Sequence, residues 1–174
     1  GRIPSSFYGM HLAHLGMAVA VTGITLVKAY EVERDVRMGL NDTVAIGQYT
    51  FKLRDVTQVP GPNYKAMRGD FEVTKNGSAV TTLQPENRAY FSSTMPMTEA
   101  AIDSGALRDL YVSLGEEIDG TAGEPRSWSV RVYYKPFIGW LWAGVLLMVA
   151  GGLLAAGDRR YRKKIQAQAK LQQA

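Results

Sequence analysis

Two long stretches of uncharged, largely apolar residues constrain the fold of this chain more than any other feature. The first is Phe7–Val27, 21 residues, and the second is Ile138–Ala156, 19 residues, in a chain of 174. As α-helices they would be roughly 28 to 31 Å long, which matches the hydrocarbon thickness of a bilayer. A cleaved signal peptide is a weaker interpretation of the first stretch, which is long and lacks a clear small-residue cleavage site. We therefore predict a membrane protein with transmembrane helices at residues 7–27 and 137–157.

Charge is distributed unevenly along the chain. The net charge is +4, yet residues 28–136 carry 13 bases and 15 acids, while the last 38 residues alone carry +5. A basic tail beside a nearly neutral middle argues against a nucleic-acid groove, so no nucleic-acid partner is expected. Because basic residues next to a span stay on the cytoplasmic side, the Arg159–Lys164 run predicts a cytoplasmic C-terminus. The expected order is a cytoplasmic stub at 1–6, an extracytoplasmic domain at 28–136 between the spans, and a basic cytoplasmic tail at 158–174.

The stretch between the spans shows the two-residue alternation of half-buried strands. The clearest runs are Tyr49–Leu53 and Trp128–Tyr134, and Asn76-Gly77 lies between two further runs as in a type I′ hairpin. Other strand-like or loop-like segments are Tyr30–Met38, Thr43–Ile46, Leu110–Leu114, the turn at Pro60–Asn63 and a linker-like stretch at Gly120–Pro125. We predict an antiparallel β domain, a small barrel or sandwich with only short helical pieces. It contains no histidine and the chain no cysteine, so no active site is expected within it.

Small residues recur at regular spacing in both spans. In the first span, glycines recur every seven residues at Gly9, Gly16 and Gly23. The second span has three small-xxx-small pairs: Gly139/Ala143, Gly151/Ala155 and Gly152/Ala156. Small residues in a stripe let another helix backbone approach closely. The pattern predicts close helix packing, against more helices than this chain contains.

The only two histidines, His11 and His14, both lie in the first span. Three residues apart, they share one side of the helix. An ionisable side chain in the bilayer faces a protein interior, a water-filled cavity or a cofactor. Three roles are open: an axial ligand to haem iron, a step in a proton path, or an interhelical hydrogen bond. A haem with two histidine ligands would need its second histidine from another helix, and the second span has none.

Seven short motifs occur in order and are framed by the two spans. They are His14-Leu15-Gly16, Glu33–Met38, Gly61–Tyr64, Met97–Asp103, Arg108–Tyr111, Leu114–Glu116 and Val130–Phe137. Together they resemble the C-terminal part of the CcmF family, the membrane haem lyase subunit of bacterial system I cytochrome c maturation. The resemblance extends from about Phe7 to Arg162.

The resemblance implies an intramembrane haem b held by two histidines, with His14 matching the more C-terminal ligand. His11 falls where no family ligand is expected, so a packing or hydrogen-bonding role is expected for it. The family's tryptophan-rich WWD segment, its two histidines for the substrate haem and the other haem b ligand belong to earlier parts of the protein. The chain begins with Gly1 rather than Met, so we expect a fragment or one polypeptide of a split assembly, not catalytic alone.

The resemblance also implies a setting and a set of partners. The setting is the bacterial inner membrane, with the β domain in the periplasm. The partners are the lipid bilayer, the remaining N-terminal part of the protein, CcmH-type and CcmI-type subunits, the haem chaperone CcmE and apocytochrome c. The β domain is expected to support the haem chamber or to dock such partners. The alternative is a non-catalytic membrane-anchored structural or interaction subunit, or a haem-transport component, in which His14 serves only in helix packing.

Overall fold

A computed structural model describes residues 4–93, 95–118 and 125–158, which form two compact units. Of the described residues, 4–29 and 137–158 form one unit, which contains two helices, and those between Tyr30 and Pro136 form the other, which contains ten strands. The basic run Arg159–Lys164 lies outside the described residues, as does the predicted linker Gly120–Pro125 apart from Pro125.

The two helices correspond to the two apolar stretches. Helix α1 is Ser5–Tyr30 and helix α2 is Ile138–Ala156, and both are long and apolar enough to cross a membrane. Helix α1 extends beyond the predicted 7–27 at both ends, because polar residues at the margins of an apolar stretch can continue its helix. The first strand accordingly begins at Val32 and not at Tyr30.

Helices α1 and α2 pack antiparallel along the predicted glycine stripe. A methyl group at Gly9 would lie 2.6 Å from the carbonyl oxygen of Gly151, and one at Gly16 would lie 2.7 Å from that of Gly144. A methyl group at Gly23 would likewise lie 2.7 Å from the backbone nitrogen of Leu141. Only residues without a side chain allow this approach.

The predicted close packing is therefore confirmed, and packing against helices from elsewhere stays a prediction. The glycine stripe is occupied by the chain's own second helix, so these glycines need no helix from elsewhere. Of the predicted pairs in α2, Gly151/Ala155 lies at the contact, whereas Gly152 has no atom near the position of a Cβ. The contact instead uses Gly144, seven residues before Gly151, because a seven-residue repeat keeps one face towards an antiparallel neighbour.

The second unit is an antiparallel β-sandwich of two sheets. The strands are β1 Val32–Gly39, β2 Thr43–Ile46, β3 Tyr49–Pro60, β4 Tyr64–Lys75, β5 Ser78–Leu83, β6 Glu86–Tyr90, β7 Met97–Glu99, β8 Ala101–Ser104, β9 Arg108–Ile118 and β10 Ser127–Pro136. One sheet has the order β1-β10-β9-β8, and the other has β2-β3-β4-β6-β7 with β5 also paired to β4. No helix occurs in the part of this unit that the structure describes, so the expected short helical pieces are not seen there.

The alternating residues of both sheets form one core. Its fully buried members come from β3, β4, β9 and β10: Phe51, Leu53, Phe71, Val73, Leu110, Val112, Leu114, Val130 and Val132. Each such side chain contributes about 1.5 to 3 kcal/mol by leaving water. Asn76 and Gly77 have φ of 49° and 84°, which confirms the predicted hairpin turn. The predicted sandwich is thus confirmed.

Candidate functional site

The two histidines lie on the side of α1 that α2 does not cover. An α-helix turns by about 100° per residue, which places His11 and His14 roughly 140° to 160° around the axis from Gly9 and Gly16. The structure agrees, because the two glycines are buried and the two imidazoles are exposed. Any group that binds these imidazoles therefore approaches the face opposite the helix contact.

Hydrogen bonds determine which ring nitrogen of each histidine is available. The Nδ1 of His14 lies 2.7 Å from the carbonyl oxygen of Met10, and the Nδ1 of His11 lies 2.8 Å from that of Phe7. A carbonyl oxygen only accepts, so Nδ1 carries a hydrogen in both rings, and Nε2 of a neutral imidazole then keeps its lone pair. A metal-bound histidine has this arrangement, with one nitrogen donating to a carbonyl and the other on the metal.

The surroundings of the two rings differ. The ring of His11 packs against that of Phe7, with centroids 4.1 Å apart and planes tilted by 41°. This contact fits the packing role expected of His11. The residues present thus fit one axial imidazole ligand, and the second ligand would come from outside the described part of this chain.

Further along α1, the side that carries the histidines also carries two threonine hydroxyls, and both donate to carbonyl oxygens of the same helix. Thr22 donates to the carbonyl oxygen of Ala18 at 2.8 Å, and Thr25 donates to that of Val21 at 2.9 Å. Such bonds to the preceding turn let threonine sit in an apolar environment. On this face, the threonine hydroxyls are thus already bonded, and the Nε2 atoms of the two histidines are left to bind a ligand.

Asp158 connects the two helices at one end. The backbone N–H of Ser6, in the first turn of α1, donates to Oδ2 of Asp158 at 3.1 Å, and Asp158 is buried just beyond the end of α2. A carboxylate beside a helix N-terminus satisfies an unpaired N–H and complements the helix dipole. The sequence alone gives no signal for this role of Asp158. Its partner could be found only from the antiparallel pairing.

A groove of about 590 Å³ lies near the same end of the helix pair. Its lining is Pro4, Ser6, Phe7, Met10, Ala155 and Ala156. Neither histidine lines it. The candidate ligand site is therefore an exposed helix face and not this groove.

In the β unit, charged side chains pair with one another. On the outer face of the first sheet, Arg131 makes two hydrogen bonds to Asp35, at 2.6 and 3.0 Å, and the Tyr133 hydroxyl donates to Glu33 at 2.8 Å. The bond from Arg131 lowers the pKa of Asp35, and the bond to Glu33 raises that of Tyr133. No group of three metal-binding side chains occurs within the described ranges.

A second cluster of charges lies on the outer face of β4 and β6. Glu86 is buried and accepts hydrogen bonds from Arg68 at 2.6 Å and from Arg88 at 2.8 Å. Burial favours the neutral acid, but the two arginines outweigh it and hold the pKa of Glu86 below its ordinary value. Arg88 also lies over the ring of Tyr64, 4.7 Å from its centroid. Sequence reasoning missed this cluster because it depends on the register between two strands.

Two of the motifs that carried the family resemblance meet in space. Met97–Asp103 covers β7 and most of β8, and Arg108–Tyr111 begins β9. The register places Ile102 opposite Tyr111. Arg108 binds Asp103 at 2.5 Å across the intervening turn. The two motifs thus form one hairpin.

Comparison with known proteins agrees with this architecture. Residues 29–136 match the family described as the CcmF C-terminal beta-sandwich. The cytochrome c-type biogenesis protein CcmF of Escherichia coli K12 is 49% identical over 94% of this chain, and that of Pseudomonas aeruginosa is 48% identical over 92%. The chain covers 24% of each relative, so it spans about a quarter of their length.

A solved structure has a similar fold. It is described as "Cytochrome c Heme Lyase CcmF", and it matches with a TM-score of 0.66 over 85% of this chain and 24% of its own, at 16% identity. At this identity the likeness bears on the fold alone. The family match includes most of the chain and confirms the resemblance of the motifs: this chain belongs to the CcmF family and contains its C-terminal β-sandwich, with an apolar helix on either side.

Proposed function

We propose that this chain is the C-terminal part of a membrane haem lyase subunit of cytochrome c maturation, and that His14 is one axial ligand of an intramembrane haem b. The observation that carries this proposal is the state of the His14 ring. Its Nδ1–H is held by the Met10 carbonyl, its Nε2 is free, and it lies on the helix face that α2 leaves open. The cytochrome c biogenesis proteins that this chain resembles supply the reaction class.

The chain's own residues would orient the ligand. The bond from Nδ1 to Met10 fixes the tautomer and the ring direction and makes Nε2 a better donor to iron. The glycine contact keeps α2 on the far side, so the imidazole face stays open to a haem plane. A bound haem iron would supply a one-electron carrier. The other axial ligand would come from the remaining, N-terminal part of the protein.

We further propose that residues 28–136 lie in the periplasm and that both chain ends lie in the cytoplasm, in the bacterial inner membrane. The antiparallel helix pair supports this topology. Ser6 and Asp158 lie at one end of the pair, so Tyr30 and Ile138 lie at the other, as a two-span segment with an external domain requires. The basic run after Asp158 would keep that end in the cytoplasm.

The β-sandwich would support covalent haem attachment by binding other proteins and not by catalysis. The charged clusters described above are internally paired. Exposed apolar side chains occur from the end of β6 to the start of β7, where Phe91, Met95 and Met97 are 68%, 76% and 55% exposed. Such a group is suited to contact with another protein. CcmH-type or CcmI-type subunits, the chaperone CcmE and apocytochrome c are the proposed partners.

The ligand role is tested by absorption spectra of the assembled complex with His14→Ala and, as a matched control, His11→Ala. We expect His14→Ala to abolish the signal of the haem with two histidine ligands, because iron loses an axial nitrogen. His11→Ala should retain it, since the ring of His11 packs against that of Phe7 and is expected to serve in packing. An unchanged spectrum in His14→Ala, at unchanged expression, would refute the ligand assignment.

The alternative is a structural or interaction subunit, or a haem-transport component, with His14 only in helix packing. The Nδ1 bond to Met10 within the same helix is equally compatible with this alternative, because a purely structural histidine would also make this bond. In that case His14→Ala would lower thermal stability and leave the haem spectrum as in the wild type. The two readouts together separate the alternatives.

A further inference from the structure

The turn between β8 and β9 places a leucine in an unusually exposed position. Leu107 is 72% exposed, although Leu110, three residues later, is fully buried. Its neighbours in the turn, Gly105 and Ala106, are uncharged and exposed as well. The tip of this hairpin is therefore apolar and exposed.

Hydrogen bonds within the hairpin keep Leu107 exposed. Arg108 donates from Nη1 to the carbonyl oxygen of Asp103 at 2.9 Å and to its carboxylate at 2.5 Å, across the base of the turn. The N–H of Gly105 donates to the carbonyl oxygen of Arg108 at 2.9 Å. On the inner side, Nε of Arg108 donates to the Tyr49 hydroxyl at 3.1 Å. These bonds hold the turn closed with Leu107 pointing away from the core.

The strand register places this turn at the end of the sheet from which the chain continues into the apolar helices. Arg108 pairs with Pro136, the last residue of β10, and Val32, the first residue of β1, pairs with Tyr134 two residues earlier. Along the chain, α2 begins at Ile138, two residues after Pro136 and therefore within about 8 Å of it.

The length of α2 sets the depth of its first residue, Ile138, in a bilayer. Its 19 residues measure about 28 Å, barely the hydrocarbon thickness, so Ile138 lies close to the hydrocarbon boundary when the helix spans. The headgroup layer adds roughly 5 to 8 Å on each side. Trp140 and Trp142, both exposed, have the positions of an interfacial aromatic belt.

We propose that Leu107 enters the headgroup layer of the bilayer and so rests the β-sandwich on the membrane surface. The lipid bilayer is the partner, because the apolar tip lies at the end of the sheet that the chain tethers to the membrane boundary. The Asp103–Arg108 pair acts as a positioning clamp for the tip. This inference depends on the proposed insertion of α2 and adds a second contact with lipid, made by the domain itself.

The chain contains no cysteine, so single introduced ones can carry a nitroxide spin label. The test variant is Leu107→Cys, and the matched control is Leu40→Cys, an exposed leucine directly after Gly39. Gly39 pairs with Ser127 and lies at the opposite end of the same sheet. A third label, Leu146→Cys in the middle of α2, reports insertion of the helix itself. All are measured on the full chain in vesicles of phosphatidylethanolamine and phosphatidylglycerol.

We expect the label at residue 107 to lose accessibility to an aqueous nickel chelate and to gain accessibility to oxygen dissolved in the membrane, whereas the label at residue 40 shows the reverse. Adding Asp103→Asn should raise the mobility of the label at residue 107, because the clamp is weakened. Equal chelate accessibility at residues 40 and 107 would overturn the inference. So would an immobile label at 107 that neither reagent reaches, since a protein surface would then cover it. If the label at residue 146 is also water-accessible, the proposed insertion of α2 fails as well.

Discussion

Replacing Gly16 by alanine should weaken the pairing of α1 and α2 by about 1 to 3 kcal/mol. The added methyl group would lie 2.6 Å from the backbone nitrogen of Met148 and 2.7 Å from the carbonyl oxygen of Gly144. An ordinary contact begins near 3.4 Å, so the shortfall is 3.4 minus 2.6, or 0.8 Å. Both opposing atoms belong to helix backbone and cannot rotate away, so the helices have to separate by about that distance.

The magnitude follows from the dispersion contacts that such a separation weakens. A gap of 0.5 to 1 Å forfeits a quarter to a half of each contact, and each contact is worth about 0.1 to 0.2 kcal/mol. For about 40 such atom pairs, the number that one buried leucine makes, the loss is about 1 to 4 kcal/mol. Van der Waals packing is a main source of helix association in lipid, so little else compensates.

The measurement is an equilibrium unfolding titration in mixed micelles, followed by energy transfer between dyes at Leu15→Cys and Leu146→Cys. Both positions are exposed and on different helices. Gly152→Ala is the matched control, because no atom lies within 4 Å of its added methyl group. The double variant Gly16→Ala with Gly144→Ala should lose less than the sum of the two single losses, since both open the same gap. Equal stability of Gly16→Ala and Gly152→Ala would refute the reasoning.

Two further predictions concern the β-sandwich. Glu86→Gln should destabilise it by about 1.5 to 3 kcal/mol, because Arg68 and Arg88 lose a charged acceptor. The folded-state pKa of Glu86 is lowered, so its contribution to folding stability is present above its ordinary pKa of 4.5 and is lost as the pH falls through the folded-state pKa. The denaturation midpoint should therefore change less with pH in Glu86→Gln than in the wild type. Gly77→Ala should cost about 1 kcal/mol in chemical denaturation, because its φ of 84° strains any side chain. An unchanged midpoint for Gly77→Ala would contradict the assigned turn.

Much of the fold could be predicted because its signals are local. Each membrane helix is a run of uncharged residues, and strands such as β3 and β10 alternate inward and outward residues. The pairing of distant strands has no local signal. Residues 97–104 pass from one sheet to the other at Ala100, so β7 pairs with β6 and β8 with β9. One edge of strand β4 likewise pairs with β6 along its first half and with β5 along its second half. The sequence could therefore predict an antiparallel sandwich but not its strand order.

In the candidate site, too, local features could be predicted from the sequence and contacts between distant residues could not. The spacing of His11 and His14 predicts a shared helix face, because that depends on helix geometry alone. The seven-residue glycine repeat predicts a close contact, but the identity of its partner depends on how the chain returns through the membrane. The hydrogen bond from Ser6 to Asp158 depends on the same return. Sequence reasoning missed both the helix pairing and this contact, because each joins residues that are far apart along the chain.

The glycine contact and the histidine face are consequences of a single helix geometry. Because Gly9 and Gly16 hold α2 against one side of α1, the imidazoles are directed to the opposite side, where no described residue of α2 covers them. An imidazole facing lipid is costly, so a protein surface or a cofactor would cover this side in the membrane. The curated relatives are about four times as long as this chain and have room for such a cover. On this argument, α2 contributes to the proposed haem site by leaving the His14 side of α1 open.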